Sequence, residues 1–374
     1  MRITLILLLV IGYSIVYSQE ENATKGNGTI QYLSLFNKTS KSGVSCYRIP
    51  ALVTAPNGDL ITAIDERVPS CGDLRMNNDI NIVIRRSQDN GKTWSDTEPI
   101  VDYPYGQSAS DPSMIVDKTT DEVFLFFNYM DLNKGKDTYY LKFVCSKDNG
   151  KTWNAPKDIT SQITKSNWQH DFKFITSGRG IMTTSGKLLH TVVNLDKGLF
   201  VFGSDDHGKT WFLINTPIKP ADESQIVELA DGAWMINSRV NGSGIRYKHI
   251  SSDEGKTWST KPDSSLFDPG CNASILRYTS VKEGSDKNRL LFSNANTNDA
   301  RKNMTVKVSY DEGESWSEQK TIYSGDAAYS SMSVLQNGDL VLFFEKDNYQ
   351  DNVFVRFTLD WLTDGRDKNI KFKK

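Results

Sequence analysis

The chain has 374 residues, and its 44 basic and 46 acidic side chains give a formal net charge of −2. This balance excludes a global basic field of the kind that attracts nucleic acid or an anionic membrane. The four histidines show no metal-ligand spacing, and neither a serine nucleophile elbow nor a phosphate-binding glycine loop occurs. We therefore expect no metal and no cofactor.

Residues 1–18 have the pattern of a secretory signal peptide. Arg2 provides a short positive start, residues 3–16 are mostly apolar, and Val16-Tyr17-Ser18 fits a cleavage site. The alternative is an uncleaved signal anchor, although the apolar run is short for a membrane span. We predict a secreted or extracellular protein without stable membrane insertion, with a lysosomal or periplasmic location as the alternatives.

Residues 19–42 are polar, and we expect them to form a loosely ordered lead-in to a single domain over residues 43–374. The sequons of the chain are consistent with a secreted glycoprotein; they begin at Asn22, Asn27, Asn37, Asn241, Asn272 and Asn303. Cys46 and Cys71 flank segments of the first repeat of the domain, so a disulfide between them is one option. Cys145 follows a partly apolar run, and we expect it to be a buried thiol.

The domain begins with a strand–turn–strand pattern that returns five times. Tyr47–Val53 resembles a strand, Pro56-Asn57-Gly58-Asp59 has the composition of a turn, and residues 60–64 resemble a second strand. Similar patterns occupy residues 113–127, 180–193, 225–237, 273–293 and 331–344. At the start of the third pattern, we interpret Gly178-Arg179-Gly180 as a turn before a strand and not as a phosphate cradle.

A shorter motif follows five of the six hairpins. Its first copy, Ser87 to Trp94, has the pattern Ser-x-Asp-x-Gly-x-Thr-Trp. Further copies lie at 146–153, 204–211, 251–258 and 309–316, the last with Ser315 in place of threonine. Glycine permits a positive φ, serine and aspartate hydrogen-bond nearby backbone, and tryptophan can pack the turn onto its sheet. We interpret the motif as a folding device and not as catalytic machinery.

Self-similarity at this spacing indicates an array of one supersecondary unit. Helical signals are weak, and the many aromatic residues suit packing between sheets. We predict an all-β fold, a six-bladed β-propeller with four-stranded antiparallel blades. Val353–Phe357 should be a final strand that helps to close the ring.

Polar residues at matching positions of the hairpins are the candidates for a site, because propellers place their sites at the axis on one face. The turn glycines Gly58, Gly232 and Gly338 serve as a ruler. Nine or ten residues before them lie Arg48, Glu223 and Tyr329, and seven residues after them lie Arg239 and Glu345. Arg67, Asp73 and Arg301 follow second strands at the same end. Antiparallel pairing brings all of them to the end away from the turns.

These residues lie in motifs that resemble those of exo-α-sialidases, also called neuraminidases. Tyr47-Arg48-Ile49-Pro50 resembles the Phe/Tyr-Arg-Ile-Pro motif of that family, and the five repeated boxes resemble its Asp boxes. Other similar stretches are Glu66-Arg67 with Asp73, residues 223–239, residues 291–293 ahead of Arg301, and Tyr329-Ser330 with Glu345. The resemblance covers nearly the whole chain after the leader. Asp boxes alone are weak evidence, because non-enzymatic propellers also carry them.

The resemblance implies a glycoside hydrolase that releases terminal sialic acids from glycoproteins, glycolipids or oligosaccharides. Arg48, Arg239 and Arg301 would clamp the substrate carboxylate, as the forked donors of arginine suit. Glu345 would orient Arg48, and Arg67 would contact the sugar near its 4-hydroxyl and N-acyl groups.

The resemblance also implies a retaining mechanism with a tyrosine nucleophile, Tyr329, since a carboxylate nucleophile would be repelled by the substrate carboxylate. Glu223 would be its general base, and Asp73 would be the acid and base at the leaving oxygen. Four positions have a rival nearby in the sequence: Glu228 for Glu223, Arg246 for Arg239, Arg289 for Arg301 and Asp79 for Asp73. Arg75 has no family role. The alternative functions are a trans-sialidase, also an intramolecular one, and an inactive sialoglycan-binding propeller.

Overall fold

The computed structural model describes residues 30–368. The predicted signal peptide, residues 1–18, and residues 19–29 of the predicted lead-in lie outside the described residues. Nearly all regular structure in the described range is β-strand, which confirms the all-β prediction. This range also contains two short helices, α1 (Thr160–Ile163) and α2 (Leu359–Leu362), with 3-10 turns at Leu74–Met76, Ser166–Trp168 and Val281–Glu283. No helix between residues 30 and 368 is long and apolar enough to cross a membrane.

The strands of residues 30–368 form five sheets. After β1 (Ile30–Asn37), the first sheet contains β2 (Cys46–Thr54), β3 (Leu60–Arg67), β4 (Ile80–Ser87) and β5 (Glu98–Val101). The second contains β6 (Gln107–Asp117), β7 (Glu122–Asp131), β8 (Tyr140–Ser146) and β9 (Lys157–Asp158). The third contains β10 (Lys173–Ile175), β12 (Ile181–Met182), β13 (Leu188–Asn194), β14 (Gly198–Ser204) and β15 (Phe212–Leu213), while β11 (Gly178–Arg179) joins the second sheet beside β6.

The fourth sheet contains β16 (Ser224–Glu228), β17 (Trp234–Ser238), β18 (Ile245–Ser251) and β19 (Ser259–Phe267). The fifth contains β20 (Ser274–Thr279), β21 (Arg289–Ala295), β22 (Lys302–Ser309), β23 (Glu318–Val334), β24 (Leu340–Lys346), β25 (Asp351–Phe357) and also β1. It has seven strands because the 17-residue β23 pairs with β22 at its beginning and with β24 at its end. Within the described range, therefore, the sheets differ from the uniform four-stranded blades predicted.

The six predicted hairpins are present as antiparallel pairs, from β2 with β3 to β23 with β24. Apart from the short β12, their strands are largely buried on both faces, so the core lies between neighbouring sheets. Val53 and Ile84 of the first sheet pack with Phe127 of the second, for example. Phe126 of the second sheet meets Trp211, the box residue that precedes β15, with ring centroids 5.1 Å apart. Aromatic packing between sheets thus agrees with the sequence composition.

Part of the predicted lead-in is a strand. Residues 30–37 form β1, which pairs antiparallel with β25 from Ile30 opposite Phe357 to Asn37 opposite Asp351. The prediction of a loosely ordered segment is therefore wrong for these residues, because Ile30 and Phe36 are buried in the core. The predicted final strand Val353–Phe357 lies within β25 and is confirmed.

The cysteines have the states considered from the sequence. Cys46 and Cys71 form a disulfide, with their Cα atoms 5.7 Å apart. This bond ties the start of β2 to the loop that follows β3. Cys145 is a buried free thiol, as predicted, and Cys271 is a second one.

The five boxes form one repeated turn, each at the end of the strand that follows a hairpin. In the first, the Ser87 hydroxyl accepts from the Gly91 amide at 2.8 Å and donates to Asp89 at 2.9 Å. Asp89 in turn accepts from the Thr93 amide at 2.8 Å and from its hydroxyl at 2.6 Å. All of these bonds close within four residues, which supports the interpretation of the box as a folding device.

Candidate active site

The predicted site residues lie at one end of the hairpins. Arg48 is near the start of β2, Glu223 directly precedes β16, Tyr329 lies in β23, Arg67 ends β3, Arg239 follows β17 and Glu345 lies near the end of β24. Asp73 lies in the loop after β3, and Arg301 directly precedes β22. Antiparallel pairing therefore brings first-strand starts and second-strand ends together, as the sequence ruler predicts.

Three of the first strands are interrupted by bulges at this end. The interruptions lie between Arg48 and Ala51 in β2, between Ser110 and Ser113 in β6, and between Ala327 and Ser330 in β23. Within two of them, Ile49 and Asp111 have φ values of 65° and 63°. A bulge changes the direction in which neighbouring side chains point. The local irregularities thus accompany the polar side chains Arg48, Asp111 and Tyr329.

Glu345 connects two of the bulged strands. Its carboxylate is fully buried and accepts from Arg48 Nε at 3.0 Å and Nη2 at 3.4 Å. It also accepts from the backbone amide of Ile49 at 2.9 Å and from that of Tyr329 at 3.1 Å. This single carboxylate therefore fixes both the Arg48 guanidinium and the backbone of Tyr329.

Tyr329 is hydrogen-bonded to a carboxylate and lies beside an arginine. Its hydroxyl donates to Glu223 Oε2 at 2.6 Å, and Arg239 Nη1 donates to the same carboxylate oxygen at 2.6 Å. Arg239 Nη1 is also 3.3 Å from the Tyr329 hydroxyl. Tyr329 and Glu223 are only 8% and 7% exposed. A proton can therefore pass between the two side chains without a mediating group.

These two groups have unusual acidities. Burial raises the pKa of Glu223 to about 7, although the charge of Arg239 works against this change. Burial, and then the negative charge of Glu223, raise the pKa of Tyr329 well above its usual value. A carboxylate with a pKa near 7 can hold or release a proton near neutral pH, which a general base requires.

Asp73 lies across the site from this pair. Its carboxylate accepts from Arg67 Nη1 at 2.7 Å and is 3.8 Å from Arg48 Nη1, yet its side chain is 79% exposed. Asp65 holds Arg67 from the other side, accepting from Nε at 3.1 Å and from Nη2 at 2.9 Å. Partial desolvation of Asp73 opposes its ionisation, but the charge of Arg67, its hydrogen bond and the charge of Arg48 outweigh this and lower the pKa.

Arg301 completes the cationic wall. Its Nη2 donates to the Gly270 carbonyl at 2.8 Å, and its Nη1 donates to the Tyr349 hydroxyl at 3.2 Å. The Arg48 guanidinium lies 3.9 Å from the centre of the same Tyr349 ring. Residues 347–349 have φ values of 52°, 52° and 66°, a left-handed run that is uncommon for residues other than glycine. This run carries Tyr349 to the two arginines.

A family model for BNR repeat-like domains matches residues 72–342, well over half of the chain. The chain belongs to the BNR-repeat sialidase family. A relative named sialidase from Bacteroides fragilis is 31% identical over 333 residues, which cover 80% of this chain and 60% of that protein. Another from Micromonospora viridifaciens is 33% identical over 353 residues, which cover 86% of this chain and 53% of that protein.

The chain thus spans little more than half the length of these two family members. A solved structure, the Hadza microbial sialidase Hz136, superposes with a TM-score of 0.76 at 27% identity. That match covers 88% of this chain and 66% of the other. The family predicted from the sequence motifs is therefore confirmed.

Geometry separates the predicted family positions from their rivals. Arg246 is buried and paired with Asp268 at 3.0 Å, while Arg289 binds Asp286 and Asp367. Glu228 ends β16 at the turn side and accepts from Thr184. Within residues 30–368, the Asp79 carboxylate forms no ion pair with an arginine, and Arg75 pairs with Asp137 at 2.7 Å. The rivals thus belong to other networks.

Asp111 is a site neighbour that the sequence analysis missed. Its amide donates to Asp65 Oδ1 at 2.9 Å, and its carboxylate accepts from Asn128 at 3.0 Å. Burial, and then the charge of Asp65, raise its pKa to about 7. Counting from turn glycines did not reveal Asp111, because its hairpin turn has no glycine. Asp121 has the positive φ, 58°, in this turn instead. Asp121 lies ten residues after Asp111, as Gly58 lies ten after Arg48.

The site holds no evident set of metal ligands. Between residues 30 and 368 no group of three or more histidine, cysteine, aspartate or glutamate side chains is arranged to hold a metal ion. The charged groups of the site instead pair carboxylates with arginines. Such an arrangement can bind an anionic ligand through the arginines and transfer protons through Glu223 and Asp73.

Proposed function

We propose that this chain is an exo-α-sialidase that hydrolyses terminal sialic acids from glycoproteins, glycolipids or oligosaccharides. The observation that carries the proposal is the 2.6 Å hydrogen bond from the Tyr329 hydroxyl to Glu223, in a site with three arginines. A hydroxyl nucleophile with an attached base beside a cationic wall suits a substrate whose anomeric carbon bears a carboxylate.

Binding would begin with the substrate carboxylate. Arg48, Arg239 and Arg301 lie around Tyr329, with the Cζ atoms of Arg48 and Arg301 5.7 and 5.4 Å from its ring centre. Guanidinium groups offer paired donors that match a carboxylate. Glu345 holds Arg48 in place from behind, so the arginine does not have to be ordered again when the substrate binds.

The first chemical step would form a bond from the Tyr329 oxygen to the anomeric carbon and break the bond from that carbon to the leaving oxygen. Glu223 would take the phenolic proton, which its raised pKa favours. The phenol is also neutral before attack, so the substrate carboxylate does not repel it. Arg239, hydrogen-bonded to Glu223, would stabilise the charge that develops on this pair.

Asp73 would protonate the leaving oxygen and then take a proton from water in the second step. Its pKa is lowered in the free protein by Arg67 and Arg48, so it must gain a proton before it can act as an acid. A bound substrate carboxylate would neutralise part of the arginine charge. The pKa of Asp73 would then rise, and substrate binding would prepare the acid.

The remaining finer features are part of the same proposal. A six-bladed propeller with its axis through the arginine cluster accounts for the meeting of site residues from several hairpins at one end. Secretion through the leader at residues 1–18 would bring the enzyme to extracellular glycans, and the Cys46–Cys71 disulfide suits an oxidising compartment.

The test is release of fluorophore from a 4-methylumbelliferyl sialoside by the parent protein and by Tyr329→Phe. We expect turnover by the parent and a loss of at least about 10³-fold in kcat for the variant, because nucleophile and base act as a unit. Circular dichroism of both proteins checks that the variant folds. The first-formed anomer, followed by proton NMR, should have the configuration of the substrate.

Other outcomes would redirect the assignment. A transferred or anhydro sugar in place of free sialic acid would indicate a trans-sialidase, which uses the same nucleophile and clamp. A folded parent that binds sialosides without turnover from acid to neutral pH would indicate a binding module. Turnover that survives in Tyr329→Phe would contradict the proposed nucleophile.

A further inference from the structure

A second concave feature lies at the opposite end of the hairpins. It is a cavity of about 360 Å³, far from the arginine cluster along the strands. The first strand of every hairpin, or the residues next to it, contributes to the wall: Thr54, Lys118, Arg179, Glu228, Arg277 and Val334. The cavity therefore lies where all six hairpins converge, on the side of their turns.

Arg179 is the interior cation of this cavity. Its Nη1 donates to the Met332 carbonyl at 3.0 Å, and its Nε is buried without a hydrogen-bond partner. Among residues 30–368, no carboxylate lies within ion-pair distance of it. Burial lowers the pKa of this guanidinium to about 10, since no anion compensates for the lost water.

The other charged groups of the wall are already paired or lie at the mouth. Arg277 binds Glu312, and Glu228 accepts from the amide and the hydroxyl of Thr184 at 2.7 and 3.0 Å. The remaining charged wall residues are exposed: Lys118, Lys282 and Glu283. With Arg277 balanced by Glu312 and the Glu228 carboxylate included, the wall has three cations against two carboxylates, which favours the entry of an anion.

The backbone around Arg179 is tightly fixed. It lies in β11, which pairs parallel with β6, so the earlier interpretation of Gly178-Arg179-Gly180 as a turn is wrong for its first two residues. Gly178 has a φ of 101°. A Cβ on Gly180 would lie 2.5 Å from the Leu189 carbonyl oxygen, so a side chain cannot fit there. The arginine is thus held at the cavity by a chain path with little freedom.

We propose that Arg179 binds a small inorganic oxyanion of the size of sulfate or phosphate in this cavity. A partly buried guanidinium whose Nε lacks a partner and which has no counter-charge is costly, and planar paired donors suit tetrahedral oxyanions. The anion would connect the converging strands and stabilise the fold. This site is separate from the arginine cluster and does not depend on the proposed sialidase activity.

The test is thermal unfolding of the parent protein in low-millimolar sodium sulfate, where the general stabilising effect of this salt is small, with the ionic strength held constant by sodium isethionate. We expect the melting temperature to rise with sulfate in the parent, because a ligand of the native state stabilises it. The dependence should vanish in Arg179→Met. It should persist in the control Lys157→Met, which removes an exposed cation of β9 outside the cavity.

The arginine cluster is itself a potential sulfate site, so Arg301→Met provides the decisive comparison. A sulfate response that persists in Arg301→Met and disappears in Arg179→Met supports the proposal. The reverse pattern, or no response in the parent, overturns it. If Arg179→Met does not fold, crystals of the parent in sodium selenate answer the question: anomalous density beside Arg179 supports the site, and density only elsewhere, or none, contradicts it.

Discussion

The Asp-box turns and the arginine cluster are built by opposite means. In the first box, Asp89 binds a residue only four positions away. In the cluster, Arg48 and Glu345 are 297 positions apart, and Tyr329 and Glu223 are 106 apart. A box can therefore form within one short segment, whereas the cluster requires the complete fold. Damage to a box should affect stability alone, and damage to the cluster should affect both stability and function.

The pKa values of the carboxyl groups are shifted in opposite directions in the two regions. Hydrogen bonds from the box threonine lower the pKa of Asp148 and of Asp253 to about 2. Burial raises the pKa of Glu223 and of Asp111 to about 7 in the cluster. The boxes thus favour ionised carboxylates at the surface, and the cluster holds carboxyls that resist ionisation.

The largest effect should follow Glu345→Gln. Arg48, Ile49 and Tyr329 all donate to this side chain, and the amide replaces one acceptor oxygen with a donor and removes the buried counter-charge of Arg48. We expect a loss of about 3 kcal/mol in the free energy of unfolding. We also expect a fall of about 100-fold in kcat/KM, because a small misplacement of reacting groups is costly. Urea denaturation and sialoside kinetics measure both.

A matched control for this carboxylate is Glu318→Gln, which breaks a surface pair with Arg366. Its effect on stability should be at most about 1 kcal/mol, with unchanged kinetics. Equal effects of the two substitutions would contradict the connecting role of Glu345.

The second prediction concerns pH. The folded-state pKa values of Glu223 and Asp111, about 7, lie above the ordinary values of 4.5 and 3.8. Their contribution to stability is therefore complete below the ordinary values and is lost as the pH rises through about 7. We expect the free energy of unfolding to fall by about 2 to 3 kcal/mol per carboxyl between pH 5 and pH 8. Urea denaturation at several pH values measures this slope.

Asp111→Asn should flatten this slope, since it removes one of the two groups. The lowered pKa of the box aspartates has the opposite sign: their contribution is present above about pH 4 and is lost as the pH falls through about 2. Stability that increases steadily from pH 5 to pH 8 in the parent would disagree with both raised values.

Sequence reasoning captured local features better than distant pairings. The hairpins and boxes carry their own turn residues, so their patterns could be recognised without the fold. The lead-in was misjudged because β1 is stabilised by pairing with β25, more than 300 residues away, from Ile30 opposite Phe357. Its polar neighbours and the sequon at Asn37 suggested a loop, and no local signal indicated the partner strand.

The site was predictable to the extent that its residues follow the hairpin ruler. Arg48, Glu223 and Tyr329 are at regular distances from turn glycines, but Asp111 was hidden because Asp121 replaces the glycine. Tyr349 lies outside any hairpin strand, at the end of three consecutive residues with positive φ, and no sequence pattern predicted this conformation. Residues placed by an unusual backbone conformation therefore cannot be found by counting positions along regular strands.

The third prediction isolates a box. Asp89→Ala removes the acceptor for the amide and the hydroxyl of Thr93 and for the hydroxyl of Ser87. We expect a loss of about 1 to 2 kcal/mol in the free energy of unfolding, because these bonds are partly exposed. The kinetic constants should stay unchanged, since the box lies at the other end of its sheet from the cluster. A change in KM would show that the two ends are coupled.

The smallest effect should follow Tyr349→Phe. The substitution removes only the hydroxyl that accepts from Arg301 at 3.2 Å and keeps the ring over Arg48 at 3.9 Å. One hydrogen bond to an arginine that would bind the substrate carboxylate corresponds to a rise of about 3- to 10-fold in KM, with little change in kcat. Steady-state kinetics on the fluorogenic sialoside measure the two constants separately.

Tyr349→Ala should raise KM further, because it also removes the aromatic surface from Arg48. Tyr310→Phe, which alters a phenol near Arg289 and outside the cluster, serves as the control and should leave KM unchanged. An unchanged KM in Tyr349→Phe with a large rise in Tyr349→Ala would assign the role of Tyr349 to the ring alone. Unchanged KM in both would mean that the left-handed run does not position the arginines, and that the cluster is held by Glu345 and the bulged strands without help from this loop.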